Sequence, residues 1–100
     1  MKSAGDLLAA FAARELSPVQ ALQDCEARFD PGLGAFAALC LERAHEEARA
    51  AEAAWRDGTA GPLCGVPLAV KDIFDTAGVE TACGSRILAG RVPLRDAEAV

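Results

Sequence analysis

The chain carries eight arginines but only two lysines, Lys2 and Lys71. Lys71 alone sits inside an apolar run, Val66-Pro67-Leu68-Ala69-Val70-Lys71-Asp72-Ile73-Phe74. Arginine stays protonated in proteins, whereas lysine can give up its proton. A lysine set in a buried strand loses hydration, and that favours the neutral amine. A neutral amine can serve as a general base or attack a carbonyl to form a Schiff base. The structural alternative is a strand-end lysine whose stem packs while its head reaches water. Position alone favours that alternative. Composition pulls the other way, because this sequence uses arginine where a surface cation suffices.

The other reactive side chains suggest less. Asp72 follows Lys71 directly, and consecutive strand residues point to opposite faces. It is therefore expected to make a structural hydrogen bond or form a turn rather than to partner Lys71. Ser85, in Gly84-Ser85-Arg86, reads as a loop serine bonded to backbone. His45 is the only histidine and lies among Glu42, Glu46 and Arg49, where a surface position is expected. No second histidine exists to complete a histidine-based metal site, and a histidine-dependent triad has only His45 to draw on. Cys25, Cys40, Cys64 and Cys83 are spaced by 15, 24 and 19 residues, with no Cys-x-x-Cys pair. That spacing argues against zinc, and all four are expected to be small buried hydrophobes. Neither Gly-x-Gly-x-x-Gly nor Gly-Lys-Ser/Thr occurs, so no phosphate loop is expected.

Helices dominate the elements that precede Lys71. Ser3 with Asp6 makes a variant capping box ahead of Leu7, Leu8, Phe11 and Ala12, and predicts a helix over residues 3–15. Ser17-Pro18-Val19-Gln20 is a stronger start: an N-cap, a proline at the first helical position and a capping-box glutamine. Val19, Leu22, Cys25 or Glu26, and Phe29 continue at helical spacing until Asp30-Pro31-Gly32 breaks the helix. Residues 35–41 fit either a short strand or the start of the next helix. From Leu41 to Asp57, apolar residues recur at steps of three and four, Arg43–Glu47 and Glu52–Arg56 are spaced for ion pairs, and Gly58 ends the helix. Beyond Gly58, glycine and proline rise. Val66–Phe74 predicts a strand ending near Asp72, with Pro67 at its beginning. Helices first and strands afterwards predict an α/β or α+β fold.

Composition bounds the function. Of 100 residues, 52% are hydrophobic and 25% charged, which is globular composition with a net charge of −5. Residues 1–57 hold six basic and ten acidic side chains, and residues 58–100 four and five. With no basic stripe, direct binding to nucleic acid or to an anionic membrane is not expected. No apolar run approaches the ~20 residues a membrane span needs, and the opening residues lack a signal peptide's apolar core. The cytoplasm is the default expectation, and disulfides are accordingly not expected. The run Asp96-Ala97-Glu98-Ala99-Val100 opens like a helix without a stop signal, so a larger protein is expected.

The segment Gly61-Pro62-Leu63-Cys64-Gly65-Val66-Pro67-Leu68-Ala69-Val70-Lys71-Asp72 resembles the lysine-bearing segment of the amidase signature family. The spacing to Thr76-Ala77-Gly78, Thr81, Gly84-Ser85 and Asp96-Ala97 is similar to that family too. So is the opening from Glu15-Leu16-Ser17-Pro18 to Ala35-Phe36, although it is more generic. The resemblance implies that residues 1–100 are the N-terminal part of a single amidase domain, an α/β/α sandwich with a mixed sheet. Residues 1–57 would be its helical segment, and residues 58–100 a loop and strand segment with the lysine motif. It implies hydrolysis of carboxylic amides by a Ser–cis-Ser–Lys triad, with no metal or cofactor. Lys71 matches the triad lysine. Both family serines belong to a segment beyond Val100, and Ser3, Ser17 and Ser85 do not match them. The expected substrate is a small-molecule amide. A homodimer and an amidotransferase with partner subunits are the assemblies left open. The competing readings are a Schiff-base lysine enzyme and a non-catalytic helical module in which residues 3–57 bind a partner.

Overall fold

The computed structural model describes residues 2–100. Helix α1 spans Ala4–Ala12, α2 spans Pro18–Ala27 and α3 spans Leu41–Asp57, with one 3-10 turn at Pro31–Leu33. The chain divides into two compact units. One contains the residues up to Leu33 together with Leu41–Pro67, and the other contains Gly34–Cys40 and Leu68–Val100.

Both predicted capping boxes form. The Asp6 N–H donates to Ser3 Oγ at 3.1 Å, and the Ser3 N–H donates to Asp6 Oδ2 at 2.9 Å. That backbone donor is the main reason the Asp6 carboxyl lies below the usual carboxylate range. In α2 the Gln20 N–H donates to Ser17 Oγ at 3.2 Å, and the Ser17 N–H donates to Gln20 Oε1 at 2.9 Å. Pro18 occupies the first turn, where a missing N–H costs nothing.

Helix α1 ends three residues before the predicted Glu15. Arg14 adopts a left-handed conformation, φ 59°. The Arg14 N–H then donates to Phe11 C=O at 3.1 Å and the Glu15 N–H to Ala10 C=O at 3.0 Å. This is the paired C-terminal closure that usually recruits glycine, and an arginine there hides the stop from a sequence reading. Helix α3 ends as predicted. Gly58 takes φ 75°, and the Thr59 N–H returns to Ala54 C=O at 2.9 Å. The Arg43 guanidinium meets Glu47 at 2.9 Å, while Arg56 turns to Asp57 at 3.7 Å rather than to Glu52. Of residues 35–41, ambiguous in the sequence, 35–40 belong to no helix or strand and Leu41 opens α3.

The helical unit closes around small residues. Ala21 of α2 and Ala48 and Ala51 of α3 are buried, and α2 packs on α3. Phe11 is buried with its ring centroid 6.1 Å from that of Trp55, in a tilted pair. The Trp55 indole N–H donates to Cys64 C=O at 3.0 Å, which ties the loop after α3 to the helix. Gly65 follows with φ 87°. A Cβ there would lie 2.6 Å from Pro18 Cγ, 2.9 Å from Pro18 Cβ and 3.3 Å from Phe11 Cε2. Glycine is required both by the backbone and by the space.

The α/β expectation is overturned. Among the described residues there is no β-strand, and everything after Gly58 is turns and irregular chain. Val66–Phe74 was the predicted strand. The pattern of an apolar run is local, but a strand exists only beside a hydrogen-bonded neighbour, and no such neighbour forms among these residues. Pro67 removes one donor, and Lys71 C=O turns back to accept the Phe74 N–H at 3.1 Å.

Gly65→Ala is expected to destabilise the protein by about 1–3 kcal/mol, through left-handed backbone strain plus the clash with Pro18. Ser17→Ala, which removes only a cap, is expected to cost about 1 kcal/mol. Urea denaturation of both variants checks the order: Ser17→Ala proving the more damaging of the two would contradict this account of Gly65.

Candidate functional site

Lys71 lies in the unit formed by Gly34–Cys40 and Leu68–Val100. It is exposed, and its ammonium has no hydrogen-bond or ion-pair partner among the described residues. Its apolar neighbours are uncovered as well: Leu68 is 79% exposed and Ile73 53%. The buried strand that would have desolvated Lys71 is not formed.

Four carboxylates that follow Lys71 in the chain are each committed to a specific donor. Asp72 Oδ1 accepts from the Ala82 N–H at 3.1 Å, the structural role expected of it. Glu80 Oε1 accepts from the Gly90 N–H at 2.6 Å, and Asp96 Oδ1 from the Ala77 N–H at 2.7 Å. Asp75 takes two bonds from the Arg91 guanidinium, Nη1 to Oδ1 at 2.8 Å and Nη2 to Oδ2 at 2.9 Å. Arg91 Nη1 also donates to Thr81 C=O at 3.2 Å. The hydrogen bonds from Arg91 hold the Asp75 carboxyl below the usual carboxylate range, and Asp75 in turn raises Arg91 above its ordinary value.

Thr81 is the best-buried residue of this unit, 2% exposed. Its hydroxyl donates to Val79 C=O at 3.2 Å and accepts a long bond from the Thr76 N–H at 3.5 Å. Its N–H donates to Arg91 C=O at 2.9 Å.

The three serines have local tasks. Ser3 and Ser17 cap helices, and Ser85 Oγ accepts from the Ile87 N–H at 3.2 Å, the backbone bond expected of it. The cysteines depart from expectation. All four are free, but Cys25, Cys40 and Cys83 are exposed, and only Cys64 is half-buried. Cys83 sits at φ 56°, in a turn rather than a core. Among the described residues no group of three or more histidine, cysteine or carboxylate side chains is placed to hold a metal ion. No helix among them is long and apolar enough to cross a membrane.

Sequence reasoning missed two contacts. His45 was expected on a polar surface, yet it is half-buried with Nε2 2.7 Å from Glu26 Oε1, joining α3 to α2. A signal existed: Glu26 occupied a position on the apolar spacing of α2 and needed a partner. The Asp75–Arg91 pair spans 16 residues of irregular chain and left no periodic trace. An open groove of about 490 Å³ in the helical unit is lined by Phe11, Pro18 and Trp55 with Arg14, Glu52 and Arg56. Lys71 does not line it.

Comparison with known proteins supplies the family. The amidase family model matches residues 18–100, so the chain belongs to the amidase family, as its lysine segment led us to expect. Similar proteins include the A subunit of glutamyl-tRNA(Gln) amidotransferase from Methylococcus capsulatus, 44% identical over 99 residues, covering 96% of this chain and 20% of that protein. The protein of the same name from Aromatoleum aromaticum is 46% identical over 98 residues, covering 95% of this chain and 20% of that protein. A mitochondrial counterpart from Ixodes scapularis is 43% identical over 91 residues, covering 88% of this chain and 18% of that protein. The chain thus spans about a fifth of the length of the curated relatives it matches. No solved structure matches it.

The Asp75 carboxyl gives the site a pH signature. Its folded value is lowered, so its contribution to stability is complete above the unfolded value, ~3.9, and is lost as pH falls through the folded value. Arg91 stays charged throughout. Asp75→Asn is therefore expected to lower the melting temperature relative to wild type by more at pH 7 than at pH 2. An equal deficit at both pH values would show that the pair contributes nothing through its charge.

Proposed function

We propose that this chain is the N-terminal part of a single amidase domain that hydrolyses carbon–nitrogen bonds of carboxylic amides, and that the domain serves as the amidase component of a tRNA-dependent amidotransferase. One observation carries the specific reading: relatives named as the A subunit of glutamyl-tRNA(Gln) amidotransferase match along nearly the whole chain, including the Lys71 segment. Its partners are then an amide substrate and the further subunits such an assembly requires.

Lys71 is the general base in this reading. The neutral amine takes a proton through a bridging cis-serine, which in turn activates a nucleophilic serine. Ser3, Ser17 and Ser85 are occupied as caps and turn acceptors, so both catalytic serines come from outside residues 1–100. The amine must be desolvated to act. The uncovered apolar side chains of Leu68, Val70, Ile73 and Phe74 around it provide a surface on which such a cover can close.

The test uses the full-length enzyme and a simple amide. Lys71→Ala is expected to lower kcat/KM by ~10²–10⁴-fold, or more if the triad acts as a unit. Lys71→Arg is expected to do no better, because guanidinium stays protonated. A folded Lys71→Arg enzyme with near-wild-type activity would reduce Lys71 to a structural cation. The amidotransferase reading is tested separately: the reconstituted assembly should convert glutamyl-tRNA(Gln) to its amide at the expense of an amide donor, and free amide hydrolysis with no such conversion would leave a stand-alone amidase.

Residues 1–100 alone are expected to show no amide turnover, because a base without its nucleophile cannot form the covalent intermediate. Lys71-dependent turnover by the purified chain would contradict the assignment of the serines.

A further inference from the structure

Two carboxylates follow Lys71 within four residues, and both act on a single peptide unit, the one joining Thr81 to Ala82. Asp72 accepts the N–H of that unit, the Ala82 N–H, at 3.1 Å. Its carbonyl, that of Thr81, accepts from Arg91 Nη1 at 3.2 Å. Arg91 is itself held by Asp75 through bonds of 2.8 and 2.9 Å. These bonds hold the planar peptide at both ends and so link the Lys71 turn to the Thr81 segment. Thr81, 2% exposed, anchors that segment to the interior of its unit.

We propose that Asp75 and Arg91 are positioning residues for Lys71, setting both its place and its electrostatic surroundings. The inference rests on Lys71 being the base. The position argument is the clamp just described. The electrostatic argument concerns what the pair conceals. Asp72, Glu80 and Asp96 are each committed to a backbone N–H, and the Asp75 carboxylate to Arg91. Removing Arg91 releases a carboxylate four residues from Lys71, and a free carboxylate favours the ammonium, the form that cannot act as a base. Removing the Asp75 charge releases a guanidinium instead, and a nearby cation favours the neutral amine.

The experiment is the pH dependence of kcat and KM in the full-length enzyme for wild type, Asp75→Asn, Arg91→Gln, the double variant and Lys71→Ala. Each single variant is expected to lose roughly ten-fold or more in kcat, since about 1 Å of misplacement can cost on the order of 10²-fold, with KM within about two-fold. The acid limb of kcat is expected to move to higher pH in Arg91→Gln and to lower pH in Asp75→Asn. In the double variant it should return close to the wild-type position while kcat stays low, no worse than in the weaker single. A purely structural pair would lower the folded fraction in both singles and move the two limbs in the same direction or not at all. That result, or singles within two-fold of wild type alongside an inactive Lys71→Ala, overturns the positioning role. An active Lys71→Ala enzyme overturns the base assignment beneath it.

Discussion

A chain that folds without a ladder must find partners for its backbone N–H groups elsewhere, and residues 68–100 find them in carboxylates. Asp72, Glu80 and Asp96 each accept from a backbone N–H, at Ala82, Gly90 and Ala77 respectively. Asp75 completes the set indirectly, through an arginine that reaches a carbonyl. The Ala82 bond is part-buried, where an unpaired backbone group costs as much as a lost hydrogen bond, while the Gly90 and Ala77 bonds lie exposed and hold local shape. They give the irregular half a definite shape, and the placing of Lys71 depends on that shape. Further turns are closed by backbone bonds alone, for example Phe74 to Lys71 and Ser85 to Ala82.

The helical unit solves a different problem, which is to bring short helices together with little large apolar material. Its buried hydrophobic residues are Phe11 and three alanines. Alanine at a helix contact lets backbones approach closely but buries little area, and each Å² of apolar surface contributes only about 25 cal/mol. Phe11, Trp55 and Pro18 supply the larger surfaces, and Gly65 comes in against Pro18 and Phe11, where no side chain fits. The polar link between Glu26 and His45 then joins α2 to α3 beside the alanines.

Legibility in the sequence followed the range of the interaction. Capping boxes reach three residues, and both were readable from Ser3, Asp6, Ser17 and Gln20. The α3 stop at Gly58 was readable because glycine favours positive φ, whereas the equivalent stop at Arg14 was not. The Lys71 segment was recognisable because its residues are contiguous. The strand at Val66–Phe74 failed because strand formation depends on a second segment, which an apolar run does not specify. The Asp75–Arg91 pair and the Glu26–His45 contact were invisible for the same reason: each depends on how two distant stretches meet. The cysteines misled because composition says how often a residue type is buried, not where a given turn places it.

The base role proposed for Lys71 and its exposure together constrain the active form. An ammonium has no lone pair with which to accept a proton, so that role requires the neutral amine. A nearby cation favours the neutral amine, and so does removal of water. Arg91 is engaged by Asp75, so the described residues bring no free charge to bear through that pair. The sequence around the lysine suits removal of water, with Leu68, Val70, Ile73 and Phe74 all apolar and all uncovered. Of the carboxylates that follow in the chain, Asp72, Glu80 and Asp96 are already satisfied by N–H donors and Asp75 by Arg91, so a cover closing over this surface does not have to pair these four. The same bonds that shape the loop thereby lower the cost of burying the lysine it carries.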